Sequence, residues 1–287
     1  MCLWVKVMEK ERMDQVIKKV CAINDLSCLG GASLGEIVPI LSRMGIRTCP
    51  IPTVILSTHS GGYDDYTFCD LTDNMAKQIG HWEKLEIKFD AIYSGFLGSL
   101  EQISLVKRTI KSFKCENTLV VVDPVMGDGG EVYSSISKDI VNNIRKLISL
   151  ADIITPNLTE AYLLADMPYT EEPSDEELDD LIDKLKGMGA KNIIITSLRS
   201  GDGKIATLLV EGDKKTIFQD QMVDADFPGT GDIFASCLIG YILNGKKLED
   251  AVKNSCAFVK DTIEYSVKVD YSHRSGVLLE ACLDKLI

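Results

Sequence analysis

The chain has 287 residues, of which 45% are hydrophobic and 26% charged, a composition typical of a globular protein and not of a disordered one. Its 31 Lys and Arg residues stand against 43 Asp and Glu residues, which gives a formal net charge of −12. Because nucleic acids and anionic membranes are bound by clustered positive charge, the composition argues against both as partners.

The predicted elements alternate along the chain between short apolar runs of strand length and amphipathic segments of helical period. In chain order they are a strand at 20–23, a helix at 33–44, a strand at 53–56, a helix at 71–81, a strand at 90–93, a helix at 100–113, a strand at 119–122, a helix at 136–150, a strand at 153–155, helices at 158–165 and 176–188, a strand at 192–196, a hairpin of 205–210 with 216–219, and helices at 232–243 and 248–263.

Single strands that alternate with helices indicate βαβ units and a mainly parallel sheet covered on both faces. We therefore predict an α/β fold: a single-domain, three-layer α/β/α sandwich over residues 19–287, since no linker or composition break divides the chain. Residues 1–18 are predicted to be a peripheral N-terminal extension. In such sheets ligands bind at the carboxyl ends of the strands, so functional residues should follow the strands directly.

Nine cysteines, none of them spaced as CxxC, predict reduced, buried thiols in a reducing compartment and neither a disulfide framework nor a zinc site. The first 19 residues are broken by charges and contain no apolar region typical of a signal peptide. No apolar stretch approaches the 18 residues of a membrane span. We therefore expect a cytoplasmic protein.

The first motif is Gly229-Thr230-Gly231-Asp232, which directly precedes an apolar helix. Two glycines allow a tight turn and a close approach of the backbone to a ligand. The helix that follows directs unpaired N–H groups and a positive dipole end at that ligand, so the motif predicts an anion site. The alternative is that Asp232 is only an N-cap or first-turn acid.

The second motif begins with Asp123-Pro124 at the end of a buried strand and continues into the glycine-containing run 127–130. A carboxylate at the end of a strand suits an acid that is associated with a metal. The glycine-containing run after it suits a mobile flap. The alternative is an ordinary turn from a strand into a loop.

The third motif runs from Asp152 through Thr155 and Asn157 to Glu160. Asn157 and Glu160 are three residues apart at the start of a helix, so both can face one cation, and oxygen ligands suit Mg²⁺. A capping box has the same spacing and is the alternative interpretation.

Two common nucleotide-binding motifs are absent from the sequence. It contains no G-x-x-x-x-G-K-[ST] element, which argues against a P-loop NTPase. No G-x-G-x-x-G element follows a strand with an acid about 20 residues further on, so a Rossmann dehydrogenase is not supported either.

Taken in order, these motifs resemble those of the ribokinase-like kinases, and among them the vitamin B6 kinases. The resemblance covers residues 19–286 and is carried by four segments: 123–128, 151–157 with Glu160, Thr196-Ser197 at the predicted end of a strand, and 229–232. The nearest alternative is hydroxymethylpyrimidine kinase, whose members often have cysteine in place of Asp232 and lack the Gly-Asp of Gly127-Asp128. A third hypothesis, a regulator that binds without catalysis, is disfavoured because a binder needs no base.

The resemblance implies ATP-dependent phosphorylation of the 5′-hydroxymethyl group of pyridoxal, pyridoxamine or pyridoxine. Asp232 then matches the general base, and the N–H groups of Gly229, Thr230 and Gly231 stabilise the transferred phosphoryl group. Asp123 and Glu160 would hold Mg²⁺, partly through water; a role for a monovalent cation is left open. The resemblance also implies a homodimer.

The remaining site residues are likewise implied by the resemblance. Those expected on the ATP side are Asp123, Asp128, Tyr133, Thr155, Asn157, Thr196 and Ser197, with 127–133 as a flap that closes over ATP. Those expected on the vitamer side are Asp25, Ser27, Thr58, His59, Ser60, Phe96 and Asp232.

Three of the vitamer-side residues have open interpretations. Asp25 stands where many relatives have a serine, and a carboxylate there could pair with a protonated ring nitrogen or the 3-hydroxyl. His59 has as its alternative a loop histidine satisfied by the backbone. Phe96 has as its alternative a core phenylalanine.

Overall fold

The computed structural model describes residues 17–59, 61–63, 65–199, 201 and 203–286. The prediction for Ser60, and nearly all of the predicted extension at 1–18, therefore lie outside the described residues. The strands are β1 (Lys19–Ser27), β2 (Arg47–Leu56), β3 (Phe68–Asp70), β4 (Ala91–Ser94), β5 (Leu119–Val122), β6 (Gly127–Asp128), β7 (Glu131–Val132), β8 (Ile153–Ile154), β9 (Asn192–Arg199), β10 (Lys204–Glu211) and β11 (Lys214–Gln221).

Nine of these strands form one sheet in the order β11-β10-β9-β8-β5-β4-β1-β2-β3. The central pairs from β2 to β9 are all parallel. The pairs at the two edges, β2 with β3 and β9 through β11, are antiparallel. Strands β6 and β7 form a separate small hairpin. The prediction of a mainly parallel sheet is confirmed.

Helices cover both faces of the sheet. Within the described residues they are α1 (Leu34–Arg43), α2 (Thr72–Lys84), α3 (Leu100–Phe113), α4 (Lys138–Ile148), α5 (Leu158–Ala165), α6 (Asp175–Gly187), α7 (Thr230–Leu243) and α8 (Leu248–Lys268). None of them is long and apolar enough to cross a lipid bilayer.

Two separate hydrophobic cores follow from the alternation of side chains along the strands. On β1, Cys21 and Ile23 point into the core that contains α2 to α6. Val20 and Ala22 point into the other core, which contains α1, α7 and α8. Strands β1, β4, β5, β8, β9 and β10 thus contribute to two layers of packing, and the three-layer α/β/α arrangement is confirmed.

Serine N-caps explain why several helices begin where they do. The hydroxyls of Ser99, Ser137 and Ser174 accept hydrogen bonds from backbone N–H groups in the first turns of α3, α4 and α6. Such caps satisfy N–H groups that have no partner within the helix. The eight cysteines within the described residues carry free thiols, as predicted. The prediction that these thiols are buried is wrong for Cys28, Cys69 and Cys115, which are exposed.

Several strands are longer than predicted. Strand β2 begins at Arg47 and not at residue 53, and the hairpin strands β10 and β11 extend beyond 205–210 and 216–219. Strand β1 continues past Ile23 through polar residues to Ser27, because its backbone stays paired with β2 as far as Leu56. Strand β9 continues to Arg199, so the prediction that Thr196 and Ser197 end this strand is wrong. The strand passes through an irregularity in its register with β10, and Ser197 has a positive φ of 61°.

Candidate active site

The carboxyl ends of the parallel strands meet at one edge of the sheet, beside the beginning of α7. Asp123 follows β5 directly, Glu160 lies in the first turn of α5, and Asp232 lies in the first turn of α7. The three acids that the sequence singled out therefore belong to one region. The polar end of β1 reaches the same region through Asn24, whose side chain contacts Asp232.

The glycine turn before α7 is packed tightly against the loop that precedes α1. Gly229 is the N-cap of α7 and has φ 84°, a value that glycine adopts without strain. A Cβ at this position would overlap the carbonyl oxygen of Gly31 and lie 3.0 Å from the Cα of Ala32. The N-cap is thus Gly229, so Asp232 is a first-turn acid and not the N-cap.

The Asp232 carboxylate is held by groups from three other elements. Oδ1 accepts a hydrogen bond of 2.7 Å from the Asn24 side-chain amide, and Oδ2 accepts one of 2.8 Å from the backbone N–H of Ser33. The Tyr93 hydroxyl lies 3.5 Å from Oδ1. Burial and the nearby charge of Asp25 raise the pKa of Asp232 to about 6, against the effect of these hydrogen bonds. Such a carboxylate is ionised near neutral pH yet well placed to accept a proton.

Asp123 is buried and lies on the other side of the Tyr93 hydroxyl. That hydroxyl is 3.4 Å from Asp123 Oδ2, so Tyr93 stands between the two acids. Burial and the charge of Asp232 raise the pKa of Asp123. The hydroxyl of Thr155 lowers this pKa, although its Oγ1 has no partner that meets the geometry of a hydrogen bond.

Asn157 and Glu160 form the capping box that was the alternative interpretation of their spacing. Asn157 Oδ1 accepts from the Glu160 N–H, and Glu160 Oε2 accepts from the Asn157 N–H, each at 2.9 Å. Glu160 Oε1 accepts from the Met126 N–H at 3.0 Å, and the Asn157 amide donates to the Gly127 carbonyl at 2.8 Å. Asn157 is thus committed to the helix start and to the base of the flap, and it does not face a cation. Burial and the charge of Asp123 raise the pKa of Glu160.

The carboxyl groups of Asp123 and Glu160 fit Mg²⁺ that is shared with a nucleotide. Within the described part of the chain, no group of three His, Cys, Asp or Glu side chains could hold a metal ion by itself. Mg²⁺ is commonly bound by one or two carboxylates together with water and substrate phosphates. Burial raises the pKa of both groups, and each is raised further by a neighbouring carboxylate, a situation that a cation would relieve.

The predicted flap at 127–133 is a short hairpin formed by β6 and β7. Gly129 and Gly130 supply its turn with φ values of 57° and 83°. The N–H of Gly130 is bound to the hydroxyl of Thr159, so the tip rests on α5. The side chains of Asp128 and Tyr133 are exposed on this hairpin.

Thr196 joins the same end of the sheet as the flap. It pairs with Asn157 through an isolated bridge, and its N–H donates to the Pro156 carbonyl at 3.0 Å. Ser197 is exposed one residue further along β9. Both residues thus lie beside the start of α5, next to the base of the flap.

On the predicted vitamer side, Asp25 and Ser27 lie at the end of β1 and are buried. Asp25 Oδ2 accepts from the Ser27 hydroxyl at 3.0 Å, and Oδ1 accepts from the Ser33 hydroxyl at 2.5 Å. Burial raises the pKa of Asp25, while these hydrogen bonds lower it. Each oxygen of this carboxylate already has a partner within the protein.

The residues after β2 differ in what they offer to a ligand. Both ring nitrogens of His59 contact backbone: Nδ1 accepts from the Gly61 N–H at 3.1 Å, and Nε2 lies 2.6 Å from the Arg274 carbonyl oxygen. This is the alternative interpretation of a loop histidine satisfied by the backbone. The hydroxyl of Thr58, in contrast, is buried and has no hydrogen-bond partner among the residues that the structure describes. Phe96, which follows β4, is half-buried and packs against the core that contains α2 to α6.

Asn24, Ser33 and Tyr93 contact the central acids but were missed by sequence reasoning. Asn24 and Ser33 belong to no local motif, and Tyr93 resembles a core residue of a buried strand. The signal that could have found Asn24 is an Asn-Asp pair that directly extends an apolar strand, because polar groups buried there need partners.

Comparison with known proteins agrees with this geometry. The profile of the family described as phosphomethylpyrimidine kinase matches residues 39–276. The chain therefore belongs to the phosphomethylpyrimidine kinase family.

Individual relatives indicate a more specific activity than the family profile does. A pyridoxal kinase of Sus scrofa is 31% identical over 227 residues, which cover 70% of this chain and 67% of that protein. The solved pyridoxal kinase of Lactobacillus plantarum is 27% identical, with a TM-score of 0.87 and coverage of 94% of this chain and 96% of that one. A Bacteroides thetaiotaomicron protein, described provisionally as a phosphomethylpyrimidine kinase and crystallised with pyridoxal, is 40% identical, with a TM-score of 0.90 and coverage of 94% and 96%. The resemblance to B6 kinases, the ribokinase-like fold and the class of enzyme, a kinase, are confirmed.

Proposed function

We propose that this protein transfers the γ-phosphoryl group of ATP to the 5′-hydroxymethyl group of pyridoxal, pyridoxamine or pyridoxine. The observation that carries the proposal is the position of Asp232 in the first turn of α7, directly after the glycine turn, with both carboxylate oxygens held and a pKa of about 6. Kinases of B6 vitamers among the relatives support the choice of substrate. Residues 19–287 form the kinase domain in this proposal.

Phosphoryl transfer needs positioning and charge neutralisation more than covalent chemistry from the protein. Asp232 accepts the proton of the 5′-hydroxyl as its oxygen attacks the γ-phosphorus, and the bond to the β-phosphate oxygen breaks to release ADP. The first N–H groups of α7, from Gly229 to Gly231, lack partners within the helix and stabilise the negative charge of the transferred group.

The nucleotide lies between the glycine turn and the flap in this proposal. Asp123 and Glu160 would hold Mg²⁺, partly through water, and the ion would neutralise charge on the phosphates. The other ATP-side residues are Asp128, Tyr133, Thr155, Asn157, Thr196 and Ser197. Asn157 acts there through its bonds to the flap and to α5, because its side chain is already committed to them.

The vitamer lies beside the ends of β1, β2 and β4. The unpartnered hydroxyl of Thr58 is the group best prepared to bind it. Asp25, Ser27, His59, Ser60 and Phe96 remain predictions as vitamer contacts, as do the homodimer and any dependence on a monovalent cation.

A second candidate function is phosphorylation of hydroxymethylpyrimidine. The family profile that matches residues 39–276 favours it. Against it stand Asp232, where members of that branch often have cysteine, and the B6 kinases among the relatives.

The test is a coupled ADP-release assay of the purified protein with pyridoxal, pyridoxamine, pyridoxine and hydroxymethylpyrimidine. We expect turnover with the vitamers, and Asp232→Asn should lose most of kcat, about 10²–10⁴-fold, while still binding ATP. Asp73→Asn is the matched control, since Asp73 is also a first-turn acid, on α2. Turnover with the pyrimidine alone would favour the second candidate, and no turnover at all would refute both.

A further inference from the structure

Ser33, the residue before α1, has a backbone conformation that serine rarely adopts. Its φ of 55° and ψ of −133° fall outside the regions that L-residues ordinarily occupy. Ser33 is the N-cap of α1, but its hydroxyl makes no capping hydrogen bond to that helix. Backbone strain of this kind persists only where the surroundings hold it in place, and it is concentrated at functional sites.

The hydroxyl of Ser33 is instead bound by Asp25. It donates to Asp25 Oδ1 at 2.5 Å, and the second oxygen of Asp25 is held by Ser27 at 3.0 Å. Asp25 and Ser27 both belong to the end of β1, where Leu26 and Ser27 pair with β2 and the register shifts at Asp25. The sheet thereby holds the two side chains that bind each other and the Ser33 hydroxyl.

The strained backbone of Ser33 has a direct consequence for Asp232, the proposed general base. In this conformation the N–H of Ser33 donates to Asp232 Oδ2 at 2.8 Å. The hydrogen bonds thus run in order from Ser27 through Asp25 and Ser33 to Asp232.

We propose that Asp25 is a positioning residue for the general base: it holds the strained backbone of Ser33 so that the Ser33 N–H orients the Asp232 carboxylate. The inference rests on the proposed function, since it takes Asp232 as the base. It gives Asp25 a role that differs from a contact to the vitamer ring. A ring contact would have to share oxygens that the two serine hydroxyls already occupy.

Ser33 offers a matched pair of variants. Ser33→Ala keeps the Cβ that disfavours the conformation but loses the hydroxyl that holds it. Ser33→Gly also loses the hydroxyl, but glycine adopts a positive φ freely. We expect kcat for pyridoxal at saturating ATP to fall about tenfold in Ser33→Ala and clearly less in Ser33→Gly.

The pH profile gives a readout that a purely structural role would not move. The Ser33 N–H lowers the pKa of Asp232, so the acid limb of kcat/KM should move to higher pH in Ser33→Ala and less so in Ser33→Gly. The other titratable groups that face this carboxylate are Asp25 on β1, Glu36 on α1, Tyr93 on β4, Asp123 after β5 and Tyr133 beside the flap. These residues are present in both variants, and both variants remove the Ser33 hydroxyl from Asp25 alike, so the difference between the two profiles reports the position of the Ser33 N–H.

Substitutions of Asp25 test the same positioning role. Asp25→Asn can still accept from Ser33, so its kcat should fall less than that of Asp25→Ala. Adding Ser33→Gly to Asp25→Ala should recover part of the lost kcat. Glu86→Ala and Glu86→Gly are controls for strain at a remote residue with φ 51°, and they should differ in Tm but not in kcat.

Two results would overturn the inference. One is equal losses of kcat in Ser33→Ala and Ser33→Gly. The other is a rise in the KM for vitamers in Asp25→Asn with kcat unchanged, which would make Asp25 a ring contact. Failure of the proposed function is separate, because the wild-type protein would then not turn over vitamers, or Asp232→Asn would stay active.

Discussion

Replacing Asn24 with alanine should move the pH dependence of catalysis. The Asn24 amide donates to Asp232 Oδ1 at 2.7 Å, and this hydrogen bond lowers the pKa of the carboxyl group. A hydrogen bond to a charged group contributes about 1.5–3 kcal/mol, and about 1.4 kcal/mol corresponds to one pKa unit. The pKa of Asp232 should therefore rise from about 6 by about one to two units.

The loss of rate at neutral pH follows from the fraction of Asp232 that is ionised. At pH 7 that fraction is about 90% for a pKa of about 6, and it falls to between about 50% and about 10% in Asn24→Ala. kcat/KM at pH 7 should thus fall about two- to tenfold and recover above about pH 9. The assay is ADP release with pyridoxal from pH 5 to pH 9.5.

The control has to account for the stability that Asn24→Ala loses. Asn24 Oδ1 also accepts from the N–H groups of Asp25 and Phe96, so Tm should fall as well. Asn192→Ala removes a similar amide, one that donates to the Asp152 carbonyl at the opposite end of the sheet, and should lower Tm without moving the profile. An acid limb of Asn24→Ala that coincides with that of wild type would refute the reasoning.

Three further predictions concern stability, the flap and the metal. Burial raises the pKa of Glu36 to about 8, whereas the unfolded carboxyl ionises near 4.5, so folding is disfavoured progressively as pH rises between these values. Glu36→Gln should therefore raise Tm at pH 8 and change it little at pH 5 in calorimetry; an equal shift at both values would exclude this origin. In Gly127→Ala the new Cβ would overlap the Glu131 carbonyl, so the hairpin should open and the KM for ATP should rise more than that for pyridoxal in steady-state kinetics. Removal of divalent cations with EDTA should abolish turnover, and added Mg²⁺ should restore it; activity that persists in EDTA would contradict the role given to Asp123.

Elements with a strong local signal could be predicted from the sequence. The bounds of α3, α5 and β5 agree with the prediction to the residue. Helix α3 has a clear apolar periodicity, and β5 is a continuous apolar run that ends at Asp123-Pro124. Ser99 and Asn157 mark the beginnings of α3 and α5 by capping them.

The end of β1 could not be predicted, because the reason for it is not local. Polar residues such as Asn24 and Asp25 ordinarily end a strand, yet here they are buried, and β1 continues past them after a shift in its register with β2. Their partners come from Ser33 and from Asp232, on other elements. Likewise the spacing of Asn157 and Glu160 suited either a cation site or a capping box. Only the hydrogen bonds of the folded chain show that the capping box forms.

The hydrogen bond between Asn24 and Asp232 joins residues that are 208 positions apart in the chain. Contacts of such long range form only after the intervening strands have assembled, and they slow folding. A nascent chain that ends before α7 therefore contains the acids Asp123 and Glu160 but neither the glycine turn at Gly229 nor Asp232. The phosphate-binding turn and the proposed base are thus added to the site together, and the return of turnover during refolding should report the docking of α7 against β1.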